Sequence, residues 1–308
     1  MTSSHKLLPK VLNSELLATS NFTASWHLSF RIFFNCSLLG ILFSGFLSGF
    51  LYFFVWYIYC CQFHFWGYAG LGHEALHGRV FSSRNINKAL FFFCSALTWN
   101  NGELFKESHL IHHKETFSDR DFESLSETKW DGYHILLYSS IDFKKLIRKL
   151  HFTFINALGF YPNYKPLSIS AVIFARRIIL FNAGLYACLV YFTGDVATTS
   201  FVALAPFTGS IFNKLLAQSQ HFGLRAFKDH GALVHSRSLD LPAPLQLLYA
   251  NMNYHAEHHF APNVPYYKLP ALRLELLKLG AIQPVKLAYF FKMFWYSRTS
   301  IRTKDDLG

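Results

Sequence analysis

Apolar positions in this chain fall in long unbroken runs, not at the short amphipathic spacings of a soluble domain. Between Leu28 and Tyr68 only Arg31 is an acid or a strong base. About 40 residues is twice the length one membrane helix requires. The run therefore predicts two spans, about 28–47 and 50–70, turning at Ser44-Gly45 and Ser48-Gly49. A second apolar run predicts another pair, about 170–193 and 196–217, turning near Thr193-Gly194-Asp195. Arg176 and Arg177, near its entry, are expected to snorkel to the interface.

Between the two pairs, residues 79–177 are largely polar. Ala89 to Trp99 is too short for a span and predicts a re-entrant or interfacial helix. Residues 133–160 carry Lys144, Lys145, Arg148 and Lys149 among Leu, Ile and Phe. That pattern predicts one basic amphipathic helix on the membrane surface; the plainer alternative is the solvated face of a globular domain. A further amphipathic helix is expected over Ala271 to Leu279, with Pro270 at its start and Gly280 at its end. The expected fold is all-α: a multi-pass membrane protein with about four transmembrane helices in two hairpins under a cytosolic helical cap. Residues 1–27 form an N-terminal cytosolic arm, and 28–308 one integral-membrane domain.

Composition supports this reading. Charged residues make up 15% of the chain and hydrophobic ones 52%, against about a quarter charged in ordinary soluble domains. The net charge of +11 would suggest nucleic acid in a soluble protein. Here it fits cationic loops beside membrane spans, and no nucleic-acid partner is expected. The predicted turns carry no Lys or Arg, while 79–177 carries fourteen. The positive-inside rule then puts both termini in the cytoplasm. Cys36, Cys60, Cys61, Cys94 and Cys188 all lie in apolar stretches without C-x-x-C spacing, and read as small buried apolar residues. The N-terminus shows no cleavable signal peptide.

Histidine carries the candidate chemistry. His255, His258 and His259 stand at i, i+3 and i+4, which share one helix face. His109, His112 and His113 repeat that spacing. His73 and His77 stand four apart, and His221 is alone in Gln218-Ser219-Gln220-His221-Phe222-Gly223. These nine are over half of the sixteen histidines. All four clusters fall in polar stretches past predicted span ends, on the cytoplasmic side. Neutral imidazoles are good transition-metal ligands. Nine are too many for one tetrahedral zinc. Divided over two metals they give four or five nitrogens each, an environment suited to iron. Two irons can activate O2 and remove hydrogen from an unactivated C–H bond. A site at the membrane surface would meet a lipid chain coming from between the spans.

The order H-x-x-x-H, H-x-x-H-H, lone His, H-x-x-H-H, with a span pair before the first box and another before the lone His, resembles the membrane fatty acid desaturase and hydroxylase family. The resemblance runs from about Trp66 to Leu272. It is especially close to the bacterial-type signature in Asn253-Tyr254-His255-Ala256-Glu257-His258-His259, followed by Pro262, Val264-Pro265 and Leu269-Pro270. It implies a non-haem di-iron centre held by His73, His77, His109, His112, His113, His221, His255, His258 and His259. It also implies O2 as co-substrate and two electrons used to desaturate or oxygenate a lipid-like substrate. The first box has three intervening residues where many acyl-CoA desaturases have four, which weakens an acyl-CoA assignment. No cytochrome b5-like segment is fused on. The expected electron donor is a separate protein of ferredoxin, rubredoxin or cytochrome b5 type.

Metal-bound histidine usually gives its other N–H to a carboxylate or carbonyl. Candidates for that role are Glu74, Glu115, Asp119, Asp121 and Glu257, with Asp121 foremost; Glu257 could instead face solvent. Asn253 and Gln220 could polarise a bound water or serve as turn and cap residues. The remaining histidines, His5, His27, His64, His134, His151, His230 and His235, read as structural or interfacial. Desaturation of a fatty acyl chain leads. The alternative is a di-iron hydroxylase or ketolase acting on a lipid, carotenoid or small apolar molecule. His73-Glu74-Ala75-Leu76-His77 also matches the H-E-x-x-H helix of zinc proteases, but an intramembrane protease would leave most clustered histidines idle. Its extended form would also need glycine and histidine where Val80 and Ser83 stand. A histidine-bearing transporter would place its ligands at mid-membrane, not past the span ends.

Overall fold

The computed structural model describes residues 11–121, 123, 131–161, 166–221, 224, 232–282, 285, 286 and 288. It is helical throughout, with no strand among these residues. His5 and His230 lie outside them.

Two helices, Asn21–Phe43 and Ile169–Thr193, are long and apolar enough to cross a membrane. Only 11% and 17% of their most apolar windows are buried, so neither is packed like the core helix of a soluble domain. Phe33, Leu180 and Phe192 project outward, 72–81% exposed.

The other two expected spans differ from expectation. Gly49–Phe63 has 15 residues and then tightens into the 3-10 turn His64–Trp66. The 196–217 run is not one helix. It breaks into Val196–Ala203, the 3-10 turn Ala205–Phe207 and Ile211–His221. Pro206 has no N–H to continue the ladder. Gly209 has φ +65°, and a Cβ there would meet Cys61 Sγ at 2.9 Å. The kink thus needs glycine both for its backbone and for close approach to Gly49–Phe63.

The polar residues of the first apolar run explain its packing. Arg31 is 1% exposed and donates to the carbonyls of Phe65 and Leu247. Asn35 and Gln62 exchange amide hydrogen bonds of 2.8 and 3.2 Å between the first two long helices. Buried polar groups in an apolar setting find one another in this way.

The described residues ahead of the first long helix are tied down. Ser20 caps a helix that already starts at Asn21. Its N–H donates to Tyr267 Oη at 2.7 Å, Arg79 donates to Leu17 O and Lys268 to Glu15 O. Val11 and Leu16 are buried in the main core. That core also takes Trp56, Leu90, Phe260, Leu269 and Leu276, so it joins the base of the first hairpin to the C-terminal helices.

The short helix expected near 89–99 runs Arg84–Leu97, capped by Ser83. The helix expected over 133–160 is two, Gly132–Ser139 and Phe143–Leu158. Asp142 caps the second by accepting from Lys145 N–H at 2.8 Å, and Ser140 is extended. The C-terminal helix runs Leu269–Lys278 with Pro270 in its first turn, and Gly280 follows at φ +61°.

Candidate metal centre

The nine box histidines come from four helix ends. His73 lies on Leu71–Leu76 and His77 caps it. Helix Gly102–Lys114 carries His109, His112 and His113. His221 ends Ile211–His221. Helix His255–Phe260 carries the last three.

They converge as two groups, His73, His77, His109, His113 and His258 in one, and His112, His221, His255 and His259 in the other. Within each group the candidate ligand atoms lie within 4.8 Å of one another. The groups adjoin: the ring of His113 stacks on that of His259 at 4.3 Å. Each H-x-x-H-H box straddles both. His109 and His113 serve the first group and His112 the second. His255 and His259 serve the second and His258 the first. The i, i+4 pair of a box faces one centre, and the i+3 residue, about 60° round the helix from the nearer of them, faces the other.

The nitrogens fit a bound metal. His77 Nε2 and His109 Nε2 are 3.3 Å apart, His113 and His258 Nε2 are 3.2 Å apart, and His221 and His255 Nε2 are 2.8 Å apart. Each pair belongs to one group. With metal–nitrogen bonds of about 2.1 Å, adjacent ligands on one ion stand about 3 Å apart. His73 Nε2 and His259 Nε2 are buried with no hydrogen-bond partner, a costly state that a metal relieves.

Carboxylates and carbonyls behind the rings set the tautomers. His112 Nδ1 donates to Asp121, with both carboxylate oxygens at 3.1 Å. His109 Nδ1 donates to Glu123 at 3.1 Å, and His221 Nδ1 donates to His235 O at 2.8 Å. With Nδ1 engaged behind it, each ring is left to turn its Nε2 inward. Glu74 Oε1 lies 3.0 Å from His258 Nδ1, so the first box is linked to the last. That carboxylate faces an imidazole ring, not the water an H-E-x-x-H protease would have it activate.

Burial, and then neighbouring imidazoles, hold His73, His77, His109, His113, His255 and His259 well below the usual histidine range. Burial brings His221 down to about 3. These rings are neutral at pH 7, the form that binds metal.

Several expectations change. Glu115 is engaged by Arg120 and Asp119 is exposed, so neither backs a ring. Glu257 is fully buried, not solvated. It accepts from Ser238 Oγ and lies 4.0 Å from Arg273 Nε. Asn253 holds the backbone of Leu239, with its Nδ2 donating at 2.9 Å and its carbonyl accepting at 2.8 Å. Gln220 Nε2 donates to Tyr249 Oη and Met252 O. Both amides therefore brace the boxes. Glu123 and Ser238 were missed. Glu123 stands two residues past Asp121 in the same acidic stretch, which was its signal; Ser238 had none.

Comparison with curated proteins returned no match. The family model described as Fatty acid desaturase matches residues 44–290, most of the chain and all nine box histidines, and the chain belongs to that family.

Proposed function

We propose that this protein is a membrane desaturase that introduces a double bond into a fatty acyl chain or similar lipid. Family membership makes it an oxidoreductase of the lipid desaturase and hydroxylase type. The convergence of nine imidazoles into two adjoining groups carries the proposal. The nine histidines named above are the proposed ligands, five to one iron and four to the other. Two bound irons would supply the O2 activation that an unactivated C–H bond requires.

The chain's own residues hold the ligands in register. Asp121, Glu123 and the His235 carbonyl fix ring orientation. Leu71, Ala75 and Tyr254, next to box residues in sequence, are buried in the main core. The overall change removes two hydrogens from adjacent carbons. With one O2, two protons and two electrons from a separate donor protein, it leaves the alkene and two waters. The proposal includes a multi-pass placement, with the centre at the cytoplasmic face.

Lipid and small-metabolite profiling of an expressing host tests this. A new double bond supports desaturation. A mass gain of one oxygen would move the protein to the hydroxylase side, and an unchanged profile under aerobic growth would remove lipid oxidation.

A further inference from the structure

Helix Phe143–Leu158 has a mixed outer face, on which Lys144, Arg148 and His151 are exposed beside apolar side chains. Phe143, Ile147, Phe154 and Leu158 point outward, 52–72% exposed. The inward stripe is Asp142, Lys145, Lys149, Thr153 and Asn156, polar at every step and spaced by three or four residues. Such spacing keeps them on one face. Apolar and basic side chains together outward fit a lipid headgroup boundary, while Lys145 and Lys149 turn toward protein, and nothing in the metal centre uses them.

Neighbouring segments complete this polar space. Asp142 N–H donates to Phe207 O at 2.8 Å and Gly209 N–H to Ser140 O at 3.2 Å. That joint brings Ile211–His221 alongside and sets Lys214 near Lys145. Lys214 Nζ stands 4.2 Å from the centroid of the Tyr138 ring, a cation–π contact. Lys149 Nζ donates to Thr98 O and Asn100 Oδ1, both at 2.7 Å. All three lysines are partly buried. Among the described residues no carboxylate forms an ion pair with any of them. Asp142, the acid nearest them, is already engaged as a helix cap. Burial, and then Lys214, brings the Lys145 ammonium down to about 8. Like charges gathered against a low-dielectric wall are costly until an anion joins them.

We propose that Lys145, Lys149 and Lys214 bind the anionic head, carboxylate or phosphate, of a lipid lying against this face. Lys214 and His221 are two turns apart on one helix, about 10 Å, so a chain anchored there reaches the metal centre. That last step alone rests on the lipid-oxidation reading.

The test is a binding measurement on the full chain in neutral detergent. Melting temperature is followed with added palmitate, hexadecanol, dihexanoyl phosphatidate or inorganic phosphate, for the parent, Lys145→Gln and Lys214→Gln. At least one anion is expected to stabilise the parent, hexadecanol is not, and each substitution is expected to weaken the anion about tenfold at unchanged metal content. Palmitate alone would identify an acyl carboxylate, phosphatidate alone a phospholipid head, and inorganic phosphate as well a phosphate site open to solution. If Lys145→Gln melts low without ligand, Lys214→Gln, on a separate helix, carries the test. Hexadecanol acting as strongly as palmitate, or both variants binding anions like the parent, overturns the proposal. Turnover does not enter the readout, so failure here leaves the desaturase reading to its own lipid-profile test.

Discussion

His112 Nδ1 donates to Asp121 from 3.1 Å, and the same carboxylate accepts the N–H groups of Phe117 and Glu123. Asp121 thus folds the segment after the second box back beneath it, with Phe117 in a left-handed conformation at φ +70°. Replacing it with alanine frees the His112 ring and unseats that turn. Losses of such a partner cost about 10–100-fold in metal affinity. Asp121→Ala is expected to lose metal at chelator concentrations the parent survives, and Asp121→Asn to lie between them. Competition with a chromophoric chelator measures this, and parent-like affinity in Asp121→Ala would contradict it.

His258 stands between the groups' two supports, with its ring in the first group and its Nδ1 facing Glu74. His258→Ala is expected to empty or halve the metal content and to abolish turnover. Metal analysis of the purified variant, alongside lipid profiling of its host, checks both. Full metal and full activity would remove His258 from the proposed ligand set.

The histidine pattern was legible because the i, i+3, i+4 spacing places ligands on one helix face whatever surrounds the helix. How each box divides between two groups was not, since that depends on where helices Gly102–Lys114 and His255–Phe260 meet. The break at Pro206 and Gly209 lay in plain sight, but the apolar run masked it. The orientation of Lys145 and Lys149 could not be read from an amphipathic pattern. Such a pattern shows that two faces differ, not which of its basic residues turn inward. Residue type left Glu257 open between backing a ring and facing solvent; only the fold reveals Ser238 and Arg273 beside it.

The metal-free protein is expected to weaken as pH falls below neutral. In the unfolded chain an imidazole takes up its proton near pH 6.5. In the folded chain His221 does so only near 3, because of burial, and six other box histidines are also held low. Between those limits the unfolded state binds more protons, so stability falls with pH. Glu123 and Glu257, whose carboxyls burial pushes up, act in the opposite sense, but two carboxyls face seven imidazoles. Melting temperature of chelator-stripped protein should decline between pH 8 and 5, most steeply below about 6.5. A rise on acidification would contradict neutral buried boxes.

Glu257 separates a brace from a ligand support. Its carboxylate is fully buried, accepts from Ser238 Oγ and faces Arg273, while Ser238 Oγ also accepts Ala256 N–H at 3.0 Å. Removing it leaves Ser238 and Arg273 without that partner, at a cost of about 2 kcal/mol. For a chain of this size that lowers the melting temperature by roughly 3 °C. Glu257→Gln keeps the shape and an acceptor, so its loss should be smaller. In both variants the metal-to-protein ratio should stay at the parent value when measured well below the melting transition. If Glu257→Ala instead lost metal while melting like the parent, the residue would belong with Asp121 behind a ligand ring.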